Sequence, residues 1–337
     1  MIIHQETLKT SVGPVVKVTL TTKRKLRLTL LSYAASIYEI CLNDHTITVG
    51  PKDIETFIKT NMNYGKTIGR MSGRTSIKPF VIGSETYQLI SNIKSQYQLH
   101  GGYQGFSKQN FELFELHDYH THAQAIFHMI SPDMAEGFPG EIDLYVIYTL
   151  YEDNQLDIEF KATSTKDTYL NITNHTYFNL LGKNNQVLSH QLQIPATSYL
   201  KRHDNFDFID VVPLNDAFDF TKDRTLGEAI KDNMDQGFDD TLFIDSKKEL
   251  VLTEPTSPYQ IKFKTTYPAV VIYTHNLKSQ ALINDYPDGG LHSGIAIECQ
   301  YAPGGIHEPK IKMPLLKKDA LYHHKTTLSF EEKSTKI

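Results

Sequence analysis

The strongest constraint on the fold is a hydrophobic pattern that repeats every two residues. The segment Lys25-Leu26-Arg27-Leu28-Thr29-Leu30 alternates polar and apolar side chains. Two longer runs, Ile142 to Tyr151 and Leu156 to Ala162, flank a short polar turn. This alternation is typical of β-strands, because successive side chains of a strand point to opposite faces.

Similar strand-like segments recur along the chain: Val15 to Leu20, Tyr169 to Ile172, His190 to Ile194, Thr241 to Ile244, Gln260 to Thr265, Ala269 to Tyr273 and Gly294 to Cys299. Helical patterns are limited to Lys52–Ile58 and Asp223–Lys231. Helices do not alternate with strands, so a doubly wound parallel sheet is not expected. The sequence predicts an all-β protein with few short helices.

The domain number follows from two opposing observations. A length of 337 residues suggests two domains. However, the strand pattern is uniform and no Pro/Gly/Ser-rich linker divides the chain. Since domain boundaries normally fall in such linkers, we expect one large domain spanning residues 1–337.

Charge and cysteine content restrict the partners and the compartment. The net charge is −5, whereas nucleic-acid and anionic-membrane binders carry a basic excess. The two cysteines, Cys41 and Cys299, do not form a CxxC motif and fit a reducing environment. The apolar runs are too short to span a bilayer. We therefore expect a cytoplasmic protein that binds neither nucleic acid nor membrane.

Two histidine-containing motifs carry polar groups suited to a ligand. In Leu99-His100-Gly101-Gly102 and the following Gly105-Phe106, the glycines indicate positive φ angles or a close backbone approach. Asn174-His175-Thr176-Tyr177-Phe178-Asn179-Leu180 combines amides, an imidazole and aromatic rings at the end of a strand, which suits a polyol ligand. Each motif is equally compatible with a structural turn.

Charged residues in three other segments are further candidates. Glu298 lies in the otherwise apolar segment Gly294 to Cys299, where burial would raise its pKa towards useful acid–base strength, unless it lies on a solvated face. Asp239 follows Gly237-Phe238 in a probable loop. Gly69-Arg70-Met71-Ser72-Gly73-Arg74 places two guanidinium groups four residues apart, and surface ion pairs are the commoner use of such groups.

A metal site is not expected from the histidine-rich segment that contains His117, His120, His122 and His128. The segment alternates like a strand, and no cysteine or carboxylate spacing completes a zinc ligand set. We interpret these residues as strand-face or surface histidines. No cofactor or metal is expected.

Taken together, these motifs resemble the aldose 1-epimerase (galactose mutarotase) family. The resemblance is carried by a GRxxxR segment ending at Arg74, LHGGxxGF at Leu99 to Phe106, NHxYFNL at Asn174 to Leu180, GFD at Gly237 to Asp239 and ExQ at Glu298 to Gln300. It covers roughly Val15 to Phe330. It implies a large single-domain antiparallel β-sandwich and the interconversion of α and β anomers of free hexoses such as galactose and glucose.

The resemblance also implies roles for individual residues. Glu298 is expected to act as the general base and His175 as the general acid, while His100 contacts the sugar near its ring oxygen. Arg74 and Asp239 are expected to bind sugar hydroxyls. The chain contains no Trp, so we expect Phe178 to supply the apolar platform for the sugar ring. A monomer or homodimer is expected.

The sequence departs from the family pattern at four positions. Gly73 replaces a frequent Asn, Val271 a ligand-binding Gln of some members, Phe111 a Trp, and Gly304 an Asp. These departures affect the expected sugar preference more than the acid–base pair.

Three alternative functions remain open from the sequence. A hexose-6-phosphate mutarotase would need basic residues near the sugar's C6 end, for which Arg70 and Arg74 are candidates. A non-catalytic carbohydrate-binding protein of the same fold would have no need for the Glu/His pair. An all-β glycoside hydrolase would need two carboxylates, which Glu298 and Asp239 could imitate.

Overall fold

The computed structural model describes residues 1–94, 96–182, 185–203, 208–222, 224–234, 237–279, 283 and 290–333. Within these residues the chain is built mainly of antiparallel β-strands, with two short α-helices. Neither of the described helices is long and apolar enough to cross a membrane.

The first part of the chain forms strands that are mostly short. They are β1 (Ile2–Thr10), β2 (Gly13–Thr21), β3 (Leu26–Leu31), β4 (Ser36–Leu42), β5 (His45–Thr46), β6 (Thr48–Val49), β7 (Thr67–Ile68), β8 (Arg74–Ser76), β9 (Phe80–Ile82), β10 (Glu85–Tyr87) and β11 (Tyr97–Leu99).

The remaining strands include the long hairpins of the main sheets. They are β12 (Glu112–Asp118), β13 (His122–Ser131), β14 (Ile142–Tyr151), β15 (Gln155–Ser164), β16 (Thr173–Asn174), β17 (Tyr177–Phe178), β18 (Gln191–Gln193), β19 (Ala196–Arg202), β20 (Phe208–Val212), β21 (Arg224–Thr225), β22 (Asp239–Ile244), β23 (Leu250–Thr253), β24 (Tyr259–Thr265), β25 (Ala269–Tyr273), β26 (Ile295–Gln300) and β27 (Tyr322–Glu332).

The two α-helices are α1 (Ile54–Lys59) and α2 (Leu226–Asp232). Each begins at a side-chain cap, which satisfies backbone N–H groups that have no partner inside the helix. Asp53 accepts a hydrogen bond from the Thr56 amide at α1, and Thr225 with Glu228 forms a capping box at α2. Short 3₁₀ turns occur at Phe106–Lys108, Ala135–Gly137 and Val187–Ser189.

Two large sheets pack face to face as a β-sandwich. One has nine strands in the order β12-β13-β14-β15-β27-β24-β23-β18-β21, and the other has seven in the order β20-β19-β22-β25-β26-β17-β6. The ring of Phe178 on β17 meets the ring of Phe263 on β24 edge-on, with centroids 5.4 Å apart. The inward side chains of both sheets belong to one buried hydrophobic cluster, which extends in sequence from Val18 to Phe330.

The hydrophobic alternation explains which face of each strand is buried. On β14, Leu144, Val146, Tyr148 and Leu150 are fully buried, and the polar turn of residues 152–154 leads into β15, which pairs with β14. A five-stranded sheet, β1 to β5, covers part of the same core through its Leu and Val side chains. The sequence-based prediction of an all-β sandwich is therefore confirmed.

The helices and strands predicted from the sequence agree with the structure to different degrees. The strand predicted at Ala269–Tyr273 has the observed bounds, and the helix predicted at Lys52–Ile58 lies at Ile54–Lys59. The second predicted helix is also present, although its expected first residue, Asp223, lies outside the described residues. The strand predicted at Tyr169–Ile172 is wrong, because this segment makes only one isolated bridge, at Asn171.

Candidate active site

A cavity of about 180 Å³ lies on the face of the seven-stranded sheet that is turned away from the hydrophobic core. Strands β22, β25 and β26 supply its floor, and the loops that carry the sequence motifs cover it. The lining residues are Asn61, Met62, Asn63, Gly73, Arg74, Leu99, His100, His175, Tyr177, Arg202, Asp239, Thr241, Val271, Tyr273, Leu277, Glu298, Gln300 and Pro303.

Strand β26 separates the core from the cavity. Ile295, Ile297 and Cys299 join the hydrophobic cluster, whereas Glu298 and Gln300 alternate with them and line the cavity. Glu298 is only 3% exposed. The carboxyl group therefore lies neither in the apolar core nor on a solvated face, but in the wall of a covered cavity.

Glu298 and His175 are in contact in the wall of this cavity. The distance between His175 Nε2 and Glu298 Oε1 is 3.3 Å, and both side chains are buried. His175 lies between β16 and β17, where its amide donates to the Lys66 carbonyl (3.0 Å) and its carbonyl accepts from the Gly65 amide (2.9 Å). These backbone bonds fix the position of the imidazole without using its ring nitrogens.

Burial shifts the pKa values of Glu298 and His175 in opposite directions. Desolvation raises the pKa of Glu298 well above its ordinary value and lowers the pKa of His175 to about 4. The charge of Asp239 acts on His175 in the expected direction, but burial outweighs it. Burial therefore opposes the charged forms of both groups, the carboxylate of Glu298 and the imidazolium of His175.

His100 is held by the glycine-rich loop that follows it. Gly101 has a φ of +81°, and a Cβ at this position would lie 1.8 Å from the Gly69 carbonyl oxygen, so no larger residue fits. The Gly73 amide donates to His100 Nδ1 (3.2 Å), which leaves Nε2 as the protonated nitrogen of a neutral ring. Desolvation lowers the pKa of His100 to about 3. His100 is thus a neutral hydrogen-bond donor.

Arg74 and Asp239 form an ion pair at the cavity wall. The distance between Arg74 Nη1 and Asp239 Oδ2 is 2.8 Å, although the two residues are far apart in sequence. Burial acts to raise the pKa of Asp239, but the guanidinium groups of Arg74 and Arg202 lower it below its ordinary value. Asp239 is therefore a carboxylate at neutral pH, able to accept hydrogen bonds from hydroxyl groups.

The aromatic wall differs from the expected one. Phe178 lies in the hydrophobic core, 2% exposed and packed on Phe263, because strand alternation turns it to the face opposite Tyr177. The prediction of Phe178 as the sugar platform is therefore wrong. Tyr177 and Tyr273 line the cavity instead, with ring centroids 6.0 Å apart.

Arg70 and the clustered histidines, which the sequence analysis also considered, lie away from the cavity. Arg70 is buried and donates to Ser131 Oγ and to the carbonyl groups of Ser131, Pro132, Phe138 and Pro139. Its guanidinium group is therefore used to anchor loops. Of the four clustered histidines, His128 contacts Asp143 and His117 contacts Glu115 on strands of the nine-stranded sheet. Among the described residues, no group of His, Cys, Asp and Glu side chains could hold a metal ion.

The departures from the family pattern fall at different distances from the site. Gly73 and Val271 line the cavity. Gly73 has a φ of +75°, and a Cβ there would lie 2.4 Å from Pro303 Cγ. Phe111 is buried in the hydrophobic core and cannot affect sugar contacts directly.

Arg202 is a cavity residue that the sequence analysis missed. It lies at the end of β19, where its guanidinium group donates to the Asp239 carbonyl and lies 3.7 Å from the Asp240 carboxylate. No local pattern marks this residue. Its proximity depends on the pairing of β19 with β22, which is a contact between distant segments.

Comparison with known proteins identifies the family of this chain. The aldose 1-epimerase family model matches residues 16–329. The chain is 30% identical to galactose mutarotase from Homo sapiens over 90% of this chain and 91% of the relative, and 30% identical to aldose 1-epimerase from Escherichia coli over 74% of each. The crystal structure of a galactose 1-epimerase from Lactobacillus acidophilus superposes with a TM-score of 0.86 at 24% identity, covering 99% of this chain and 100% of that one. The chain belongs to the aldose 1-epimerase family.

Proposed function

We propose that this mutarotase interconverts the α and β anomers of free hexoses such as galactose and glucose, with Glu298 and His175 as its acid–base pair. The observation that carries the proposal is the 3.3 Å approach of His175 Nε2 to Glu298 Oε1 in the wall of a covered cavity. Anomer exchange needs two proton transfers at neighbouring oxygens of one sugar, and two groups this close can serve both.

In the proposed ring opening, Glu298 takes the proton of the C1 hydroxyl and His175 protonates the ring oxygen O5. The C1–O5 bond breaks and C1 becomes an aldehyde. After rotation about the C1–C2 bond, the O5 hydroxyl attacks the other face of the aldehyde, His175 takes the O5 proton back, and Glu298 returns a proton to O1. Neither hydride nor electron transfer is involved.

One proton shared by the pair is sufficient for this cycle. The ion pair before opening and the neutral pair after it contain the same number of protons, and they differ only in which residue holds one of them. Because burial destabilises the ion pair relative to the neutral pair, it favours the transfer of a proton from O1 to Glu298 and from His175 to O5, which converts the ion pair into the neutral pair. Each positioned acid or base typically contributes about 10²–10⁴-fold in rate.

The other polar groups of the cavity are proposed to bind the sugar. His100 is a neutral donor suited to the region of the ring oxygen, and Asp239 with Arg74 offers a carboxylate and a guanidinium group to hydroxyls. Tyr177 and Tyr273 provide aromatic surface in the same cavity. These groups match a neutral polyol.

The acid–base roles are tested with Glu298→Gln and His175→Asn. We expect kcat for fresh α-D-galactose, followed by polarimetry, to fall by about 10²–10⁴-fold while sugar affinity changes much less. Glu159→Gln and His323→Asn are matched controls, because this exposed pair has a similar contact (2.8 Å) on the nine-stranded sheet. Turnover near that of the wild type in either cavity variant would contradict the assignment.

The alternative functions are separated by simple substrate comparisons. A phosphate at C6 would need a basic group, but Arg70 is used to anchor loops and Arg74 is paired with Asp239. Turnover of glucose 6-phosphate above that of glucose would favour the phosphate-specific enzyme. Sugar binding without mutarotation would favour a binding protein, and release of sugar from a glycoside would favour a hydrolase.

We also propose a cytoplasmic location and a monomeric or homodimeric state. The two cysteines of the described chain, Cys41 and Cys299, are both buried free thiols, which suits a reducing compartment. The net charge of −5 is compatible with a neutral sugar as the substrate and offers no basic excess for nucleic acid.

A further inference from the structure

Gln300 is a cavity residue that the acid–base mechanism does not use. It follows Glu298 on the same face of β26, so the two Cα atoms are roughly 7 Å apart along the strand. Gln300 lines the cavity and is fully buried, with 0% exposure.

Among the residues that the structure describes, neither polar atom of the Gln300 carboxamide has a hydrogen-bond partner. Both Nε2 and Oε1 are buried. The buried amide of Gln98, by comparison, donates through Nε2 to the carbonyls of Ile90 and Glu136, and of its two polar atoms only Oε1 has no partner among the described residues. Buried polar groups in proteins are nearly always paired, because each unpaired group forfeits its hydration. The Gln300 amide therefore needs a partner from outside the chain.

Three described neighbours of Gln300 offer its amide no polar side-chain atom. The cross-strand neighbour of Gln300 is Ala269, and the loop residues beside it are Gly73 and Pro303, whose side chains contain no polar atoms. A Cβ at Gly73 would lie 3.7 Å from Gln300 Nε2, so the absent side chain leaves space beside the amide. The cavity is the remaining direction from which a polar group can arrive.

We propose that Gln300 is a specificity-determining residue whose carboxamide binds two adjacent hydroxyls on the C3–C4 edge of the sugar. An amide presents a donor and an acceptor side by side, and neighbouring hydroxyls present the complementary pair. With Glu298 at O1, the spacing along β26 places Gln300 across the ring from the anomeric carbon. This inference rests on the proposed function, because it takes the sugar orientation from the role of Glu298.

The test measures KM and kcat by polarimetry for galactose and for its derivatives deoxygenated at C2, C3, C4 and C6. With the wild type, loss of a contacted hydroxyl at C3 or C4 should lower kcat/KM by about 10-fold, mainly through KM. Gln300→Met keeps the chain length and removes both polar atoms. The kcat/KM of this variant for galactose should be about 10-fold below that of the wild type and should not fall further with the C3 and C4 derivatives. The decreases in kcat/KM caused by removing the C2 or C6 hydroxyl should be the same as in the wild type.

Two further variants make the comparison specific. Gln98→Met removes another buried amide outside the cavity lining, and it should leave all four penalties as in the wild type. Gln300→Asn shortens the amide by one methylene and should reproduce the loss seen with Gln300→Met, which covers the case in which the Met variant does not fold. Unchanged C3 and C4 penalties in a folded Gln300 variant would overturn the inference and assign the amide to an ordered water.

Failure of the proposed function has a different signature. A wild-type protein that mutarotates none of the five sugars would reject that function. In that case, Kd values measured by calorimetry for the same sugars with the wild type and with Gln300→Met replace the kinetic comparison. If removal of the C3 or C4 hydroxyl weakens binding equally in the two proteins, the role of Gln300 is overturned.

Discussion

At the scale of single residues, the site depends on placing ionisable groups where water does not reach them. Desolvation raises the pKa of Glu298 and lowers that of His175, and for His175 it outweighs the charge of Asp239, which acts to raise the pKa. Asp239 is half-buried, and the charges of Arg74 and Arg202 keep it ionised. The cavity therefore combines a carboxyl group that readily changes charge with one that does not.

The pH dependence of kcat/KM follows from these shifts. The active pair holds one shared proton, so activity should fall at low pH when His175 binds a second proton, with a pKa near 4, and at high pH when the raised pKa of Glu298 is passed. The rate should stay flat through neutrality. Polarimetry between about pH 4 and about pH 9 measures this profile, and a loss of activity with a midpoint at the ordinary histidine pKa of about 6.5 would contradict it.

At the scale of elements, the segment between α1 and β7 combines a cavity wall with a buried cation. Asn61 to Asn63 line the cavity, and Lys66 lies just beyond them, 2% exposed. Its Nζ lies 5.2 Å from the ring centroids of Tyr33 and Phe57, and no carboxylate among the described residues pairs with it. Desolvation lowers the pKa of Lys66 to about 7.

Lys66→Met should stabilise the protein at low pH. The unfolded chain binds more protons than the folded chain between about pH 7 and 10.5, so the free energy of unfolding of the wild type rises with pH across this window. The Met variant lacks this slope and should be more stable by roughly 1–3 kcal/mol near about pH 6. Urea unfolding measures the difference, with the exposed Lys59→Met as control. A less stable Met variant would show that the contacts of the ammonium group with the rings dominate.

At the scale of the whole molecule, the last strand joins the two halves of the chain. In the nine-stranded sheet, β27 lies between β15 and β24 and pairs with both. The inward residues from Val18 to Phe330 form one hydrophobic cluster. We therefore propose that residues 1–337 fold as one domain, as the missing linker suggests.

Unfolding should then be a single cooperative process. We expect urea transitions followed by far-UV circular dichroism and by tyrosine fluorescence to coincide in midpoint and slope, since the chain contains no Trp and its 19 Tyr report on many regions. Two separated transitions, or a protease-resistant fragment that retains half of the strands, would contradict the single domain.

A strand can be predicted from the sequence where one of its faces packs against the core and the other is polar. In the hairpin β14–β15, burial alternates from Ile142 to Val146 and from Ile158 to Ser164, as the sequence does. The segment Tyr169–Ile172 also contains residues that favour strands, but it makes only one isolated bridge, at Asn171, because strand formation requires a partner that local sequence does not specify. Motif residues such as His100 and Asp239 were identified for their chemistry, whereas Arg202 was not, since nothing in its neighbourhood distinguishes it.

The sequence by itself determined the β-class, the motifs and the residue types of the acid–base pair, because alternation and side-chain chemistry are local properties. Tertiary structure decided which face of β26 lines the cavity. It also decided that Phe178 packs in the core while Tyr177 lines the cavity. It also decided that Glu298 and His175 share a buried environment that shifts both pKa values. These outcomes depend on how the two large sheets pack and which loops cover the outer face, and such long-range contacts set burial and hence electrostatics.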